Sequence, residues 1–155
     1  MNKINFLDLK EQQKKIKNNL NENLNKVLKS SNYIMGKEVF ELEKKLEDYT
    51  GSNYCITCAS GTDALILALL SLKIGKGDFV VCPSFTFPAT AEAILIIGAI
   101  PIFVDVSKDT FNLCYKSLEI ALDKYNKTKK AIKAVISVDL FGLPANYHRL
   151  KKIAK

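Results

Sequence analysis

The sequence predicts an α/β protein, a mostly parallel sheet with helices on both faces, and three observations carry that expectation. Short apolar runs at residues 54–58, 79–82, 100–106 and 134–138 recur through the later two-thirds of the 155-residue chain without strict polar alternation. Each is bounded by Gly, Pro, Asp or Ser. Helical segments at 62–72, 88–97 and 116–125 separate them. Strands of this length that lack alternation are buried on both faces, and helices between them imply parallel pairing. Right-handed crossovers then gather the strand-to-helix loops on one edge, where ligands of such folds collect. The loops concerned are 60–63, 83–87, 105–110 and 139–145.

Two helices precede any strand. Residues 8–29 place Ile16, Leu20, Leu24, Val27 and Leu28 at helical spacing on an otherwise polar segment, and Asp8 with Glu11 resembles a capping box in which Asp replaces Ser or Thr. After a break at Ser30-Ser31-Asn32, a second helix over 37–49 turns Val39, Phe40, Leu42 and Leu46 inward, and Thr50-Gly51-Ser52 ends it. The pattern changes at Asn53. This divides the chain into a helical segment, 1–52, and a part built around the sheet, 53–155.

At 48% hydrophobic the chain has the size and core content of one ordinary domain. Met1-Asn2-Lys3-Ile4-Asn5 has no signal-peptide character and the apolar stretches are too short to span a bilayer, so a soluble cytoplasmic protein is expected, with no membrane partner. The net charge of +7 is unevenly spread: 10 basic and 8 acidic residues in 1–50, 3 and 5 in 51–110, 10 and 3 in 111–155. Arg149 is the one arginine among 23 basic residues, whereas nucleic-acid readers usually enlist Arg for its bidentate fork. Heavy use of Lys, Asn and Ile reads as an AT-rich coding bias, and no nucleic-acid partner is expected. The four cysteines do not resemble a disulfide framework. Cys55 and Cys58, three apart on an expected strand, would face opposite ways, and with His148 as the single histidine no zinc site is expected.

The edge loops carry the chemistry. Ala59-Ser60-Gly61-Thr62-Asp63-Ala64 reads as a strand, a tight turn and a helix start. Unpaired N–H groups and the helix dipole there suit an anion, and small hydroxyl residues suit a phosphate. Ser60 or Thr62 acting only as a helix cap, with Gly61 supplying the turn, is the competing reading, and these six residues alone favour it. Pro83-Ser84-Phe85-Thr86-Phe87-Pro88 puts two phenylalanines in a loop, where they either roof the core or cover a flat ligand. Asp139, opening Asp139-Leu140-Phe141-Gly142-Leu143-Pro144, is either a polar site group or the cap of the next helix. No dinucleotide fingerprint, Walker loop or nucleophile elbow is present. The edge therefore suggests a phosphate-bearing ligand sandwiched by an aromatic, a description that pyridoxal 5'-phosphate fits.

The order of motifs is recognisable as a whole. The stretch Ala59 to Leu65, then Gly75-Lys76-Gly77-Asp78, then Pro83 to Ile94, resembles the DegT/DnrJ/EryC1/StrS family of sugar aminotransferases. Gly98 to Val106, Leu140 to Ala145, Phe6-Leu7-Asp8-Leu9 and Tyr33 to Val39 continue the resemblance over nearly the whole chain. It implies the large domain of a fold-type I enzyme using pyridoxal 5'-phosphate to move an amino group, usually from glutamate, to a keto sugar carried on a nucleotide. It also implies that Gly61, Thr62 and Asp63 bind the cofactor phosphate, that Phe87 stacks on its ring, and that Ser31 and Tyr33 touch the nucleotide-sugar. Relatives often have Gly at the position of Ser31. The opening and the Cys55 to Leu65 region look most like the branch acting on 3-keto UDP-linked N-acetylglucosaminuronic acid in surface polysaccharide biosynthesis.

Transamination needs a lysine that forms the Schiff base and an Asp that keeps the pyridine nitrogen protonated. In the family both follow the Leu-Phe-Gly-Leu-Pro motif, and the sequence ends at Lys155 before either position. The chain is therefore expected to be an N-terminal portion, with later strands and a small domain absent, part of a homodimer when complete and without turnover alone. A non-catalytic remnant, a subunit of a split enzyme, and a sugar dehydratase of the same family are the alternatives.

Overall fold

The computed structural model describes residues 6–125, 127 and 131–154. Residues 1–5 and Lys155, used above, lie outside them. The chain forms two compact units that divide between Thr57 and Cys58.

The first unit carries α1 (Leu9–Ser30) and α2 (Lys37–Thr50). Asp8 Oδ1 accepts the Glu11 N–H at 3.1 Å, so the expected cap forms. Its reciprocal half does not, because the Glu11 carboxylate pairs with Lys14 at 3.3 Å. α1 closes on Ser31, whose φ of 53° is left-handed and whose N–H donates to the Val27 carbonyl. A glycine suits that position best. α2 begins after Gly36, where a Cβ would lie 2.8 Å from the Asn32 carbonyl oxygen, so a side chain there forces the turn apart. Neither helix contains a buried residue.

The expected strand at 54–58 is not one. Its N–H groups go to α2 instead: Cys55 donates to Glu47 Oε1 at 3.1 Å, and Thr57 donates to Glu43 Oε1 through both its N–H, at 2.8 Å, and its hydroxyl, at 2.9 Å. Four residues of helix rise about 6 Å and two extended residues span about 6.6 Å, so the two spacings match. Carboxylates thus take the place of a neighbouring strand. The opposite-face argument for Cys55 and Cys58 loses its premise with the strand; Cys55 is half-buried, and Cys58 is exposed with its Sγ 3.3 Å from the Ser60 carbonyl.

The second unit holds α3 (Gly61–Ser71), β1 (Phe79–Pro83), α4 (Ala89–Ile96), β2 (Ile100–Val104), α5 (Tyr115–Tyr125), β3 (Ile132–Val135), a short 3-10 turn (Leu140–Gly142) and α6 (Tyr147–Ile153). Among the described residues the sheet has three parallel strands in the order β2-β1-β3, one fewer than expected. β2 stops at Val104 because Val106 bridges antiparallel to Leu113, which folds the following loop back. β3 starts at Ile132, opposite Phe79, with a register shift at Phe79/Val80.

Helices cover both faces, as the unbroken apolar runs predict. Successive β1 side chains point to opposite faces. Val80 and Cys82 join Leu69, Ile74, Ile94 and Ala99 under α3 and α4. Val81 joins Ile102, Val104, Leu113, Leu118 and Ala121 under α5, with Leu150 and Ile153 packed against them. Burying each such Val, Leu or Ile contributes about 1.5–3 kcal/mol, so the central strand holds the unit together from both sides. Among the described residues no helix is long and apolar enough to cross a membrane.

Candidate functional site

Ser60 resolves how α3 begins. Its backbone is extended (φ −157°, ψ 166°), its Oγ accepts the Asp63 N–H at 3.1 Å, and its hydroxyl donates to Asp63 Oδ2 at 3.0 Å. The Ala64 N–H closes the first helical bond on the Ser60 carbonyl at 3.0 Å. Ser60 is therefore the cap, and Thr62 is not. Capping leaves something over: among the described residues the N–H groups of Gly61 and Thr62 meet no acceptor. A Cβ built on Gly61 meets nothing within 4 Å, and its φ is not left-handed. Neither packing nor backbone conformation demands glycine there, so its small size serves open space in front of the helix start.

α3 ends at Ser71 and β1 begins at Phe79, and Leu69 of α3 joins Val80, Cys82 and Ile94 in one core cluster. The loop after β1 follows the carboxyl end of that strand. Its Phe87 is 75% exposed and Phe85 50%, so neither roofs the core. Phe85 leans on Phe111 with centroids 5.7 Å apart, and Phe111 meets Phe141 at 5.7 Å, edge to face. Phe111 and Phe141 both hold φ of 57°, unusual for a bulky residue. Phe87 stands apart from this row: its carbonyl accepts the Thr90 N–H at 3.1 Å.

Ser31 and Tyr33 belong to the first unit, at the end of α1, and Tyr33 is exposed. Asp139 is not a helix cap, since Asn146 Oδ1 accepts the Arg149 N–H at 3.0 Å and fills that role for α6. Instead Asp139 Oδ1 accepts the Ala145 N–H at 2.9 Å and the Tyr147 hydroxyl at 2.8 Å, bracing the loop. That bond, together with burial, raises the Tyr147 pKa above its ordinary value. The Glu43 and Glu47 contacts had no local signal, because two glutamates four apart on a polar helix look like solvated surface. Two clefts of about 460 and 490 Å³ flank β3 and Asn112 respectively; neither includes Gly61, Thr62 or Phe87, of which Gly61 and Phe87 are exposed and Thr62 is partly buried.

The model of the DegT/DnrJ/EryC1/StrS aminotransferase family matches residues 14–155. The chain belongs to that family. A UDP-2-acetamido-2-deoxy-3-oxo-D-glucuronate aminotransferase of Pseudomonas aeruginosa is 42% identical over 97% of this chain and 40% of its own length. The crystal structure of a family aminotransferase from Brucella abortus superposes with a TM-score of 0.93 and 46% identity, over 98% of this chain and 41% of that one. An E. coli GDP-4-keto-6-deoxy-D-mannose-3-dehydratase with bound hydrated PLP superposes at 0.73 and 28% identity, over 83% and 33%. The chain spans about 40% of the length of the curated family members it matches first.

Proposed function

We propose that this chain supplies the phosphate cup and the ring-stacking residue of a pyridoxal 5'-phosphate-dependent aminotransferase. The enzyme would move an amino group from glutamate to a nucleotide-linked keto sugar, 3-keto UDP-N-acetylglucosaminuronic acid, for surface polysaccharide. The observation that carries the reading is the pair of unclaimed N–H groups at Gly61 and Thr62, within a stretch that follows the family's order of motifs. The substrate follows the Pseudomonas relative, whose name gives the same sugar at the same oxidation level.

The donor set fits a phosphate: two backbone N–H groups at a helix N-terminus, no side chain at Gly61 to hold the anion off, and the dipole of an 11-residue helix behind them. Asp63, whose carboxylate would repel that anion, is turned to the Ser60 hydroxyl and contributes by fixing the cap. Phe87 offers a largely exposed ring to the flat face of a pyridine. When bound, the cofactor supplies the electron sink, and these residues anchor and orient it. Ser31 and Tyr33 are assigned to the nucleotide-sugar. The Schiff-base lysine and the acid on the pyridine nitrogen are assigned to no residue of this chain, and a homodimer is the assembly proposed for the whole enzyme.

A sugar dehydratase is the second reading, favoured by the E. coli neighbour. Titration of the purified chain with pyridoxal phosphate tests the shared part of both. A saturable change in cofactor fluorescence is expected, weakened about tenfold in Phe87→Ala, the scale of a lost stacking contact. No saturable change, or one indifferent to Phe87→Ala, overturns the cup.

A further inference from the structure

We infer that the outer edge of β3 is a docking site for a parallel β-strand delivered in trans, by a separate polypeptide carrying the part of the family fold that this chain does not span. The inference rests on the second unit and on the family match, and is independent of the cup at Gly61 and Thr62. Among the described residues β3 is an edge of the sheet, and it is only partly buried where β1 is buried from Val80 to Pro83. An open edge offers a row of backbone donors and acceptors to another chain.

The crossovers fix where the next strand of such a sheet falls. From β1 the chain steps over α4, on the face of Val80 and Ile94, to β2. From β2 it steps back over α5, on the opposite face with Val81 and Leu118, past β1 to β3. Reversing direction while changing face keeps one hand, the right-handed one of parallel crossovers. α6 packs on the α5 face, since Leu150 and Ile153 join the cluster of Leu118 and Ala121. A strand entered from α6 therefore continues in the direction of the last step and falls outside β3. The Brucella structure matches 98% of this chain with 41% of its own length, so family members carry further fold to fill that place.

The edge itself is shaped for a strand. Ile136 donates its N–H to the Val81 carbonyl at 2.8 Å, so pairing with β1 runs on past Val135. In a parallel strand alternate residues direct their N–H and carbonyl groups to opposite sides, so Val135 and Ser137 turn theirs to the outer edge. Beside that edge runs the groove of about 460 Å³, walled by Leu118 and Leu122 of α5 and by Leu150 and Ile153 of α6, with Ile132 and Val135 along β3. Main-chain bonds along β3 supply affinity, and the groove takes every second side chain of the incoming strand. Lys133 and Lys151 also line it, and among the described residues no carboxylate does, so charge favours a strand with an acid beside its apolar positions.

The test is binding of synthetic peptides to the 155-residue chain, read by backbone amide NMR. The peptides are about ten residues long, a strand with its flanks, and tile the part of the Pseudomonas aminotransferase outside the stretch matched here. Saturable shifts centred on β3, with slowed amide exchange at Val135 and Ser137, are expected from one window of that tiling. Ser137→Pro removes an outward N–H and leaves the Ile136 bond to β1, so it is expected to keep the thermal transition and to weaken binding at least about tenfold. Two versions of the binding peptide, N-methylated at alternate residues, test the ladder without altering the protein: one is expected to bind as before and the other at least about tenfold more weakly. No saturable shift from any window, shifts away from β3, or equal binding by the two methylated versions overturns the site. Self-association that Ser137→Pro abolishes, without a peptide response, gives the edge to a second copy of the chain and overturns it equally.

Discussion

The two units solve stability differently. In the second, β1 lies at the centre of a sheet covered on both faces, and the fully buried large side chains among the described residues belong to it, Ile94, Leu113, Leu118, Val80 and Val81 among them. In the first, α1 and α2 contain no buried residue, and they are laced instead by exposed pairs such as Lys26–Glu22 and Lys37–Glu41. Pairs of that kind contribute only a few tenths of a kcal/mol each. Amphipathic spacing is the same signal in both units, yet only one converts it into burial. The carboxylates of Glu43 and Glu47 show what the first unit uses in place of a core: directional bonds to an extended segment.

The sharpest way to break this contrast is a pair of truncations. Ile94→Ala, at a side chain with no exposure, is expected to cost about 2–5 kcal/mol in urea unfolding, whereas Leu20→Ala on α1, half-exposed, stays within about 0.5 kcal/mol. Equal losses would mean that the apolar stripe of the first unit is packed as firmly as the sheet. Next in size is Gly36→Ala, expected to cost about 1–3 kcal/mol through the clash with the Asn32 carbonyl and to be read by loss of α2 helicity in circular dichroism. Ser60→Ala removes a cap from α3 and is expected to cost about 1 kcal/mol by thermal melting.

The smallest effect is local and depends on acid. Bonds from the Thr57 N–H and then its hydroxyl lower the Glu43 pKa below the ordinary glutamate value. A lowered folded pKa means the contact is fully present above the unfolded value and is lost as pH falls through the folded one. Amide exchange at Thr57 is therefore expected to be slow near neutrality and to quicken, after correction for intrinsic rates, below the usual carboxylate range. In Glu43→Ala it is fast throughout. An exchange rate indifferent to Glu43 would return residues 54–57 to an ordinary loop.

How much was legible follows the range of the interactions. The α/β class, the central strand at Phe79 and the cap at Ser60 were readable, because apolar runs and local side-chain bonds declare themselves within a few residues. The strand expected at 54–58 was misread because its partners are glutamates 8 and 14 positions earlier, which no local pattern reveals. The site divides the same way. Gly61 and Thr62 at a helix start are a sequence signal, whereas the left-handed Phe111 and Phe141 depend on packing between loops. The alternation that places Val81 and Cys82 on opposite faces was readable from β1 alone.

Cys82 carries that alternation into the laboratory. It is fully buried in the central strand, and burial pushes its thiol up to about 11, so it is both shielded and protonated at neutral pH. Cys58 is exposed, and Cys55 and Cys114 are half-buried. A thiol-alkylating reagent therefore marks these three on the folded chain and Cys82 only when the sheet opens. The protein carries its own clock for that opening, readable as the arrival of a fourth label by mass spectrometry without any substitution.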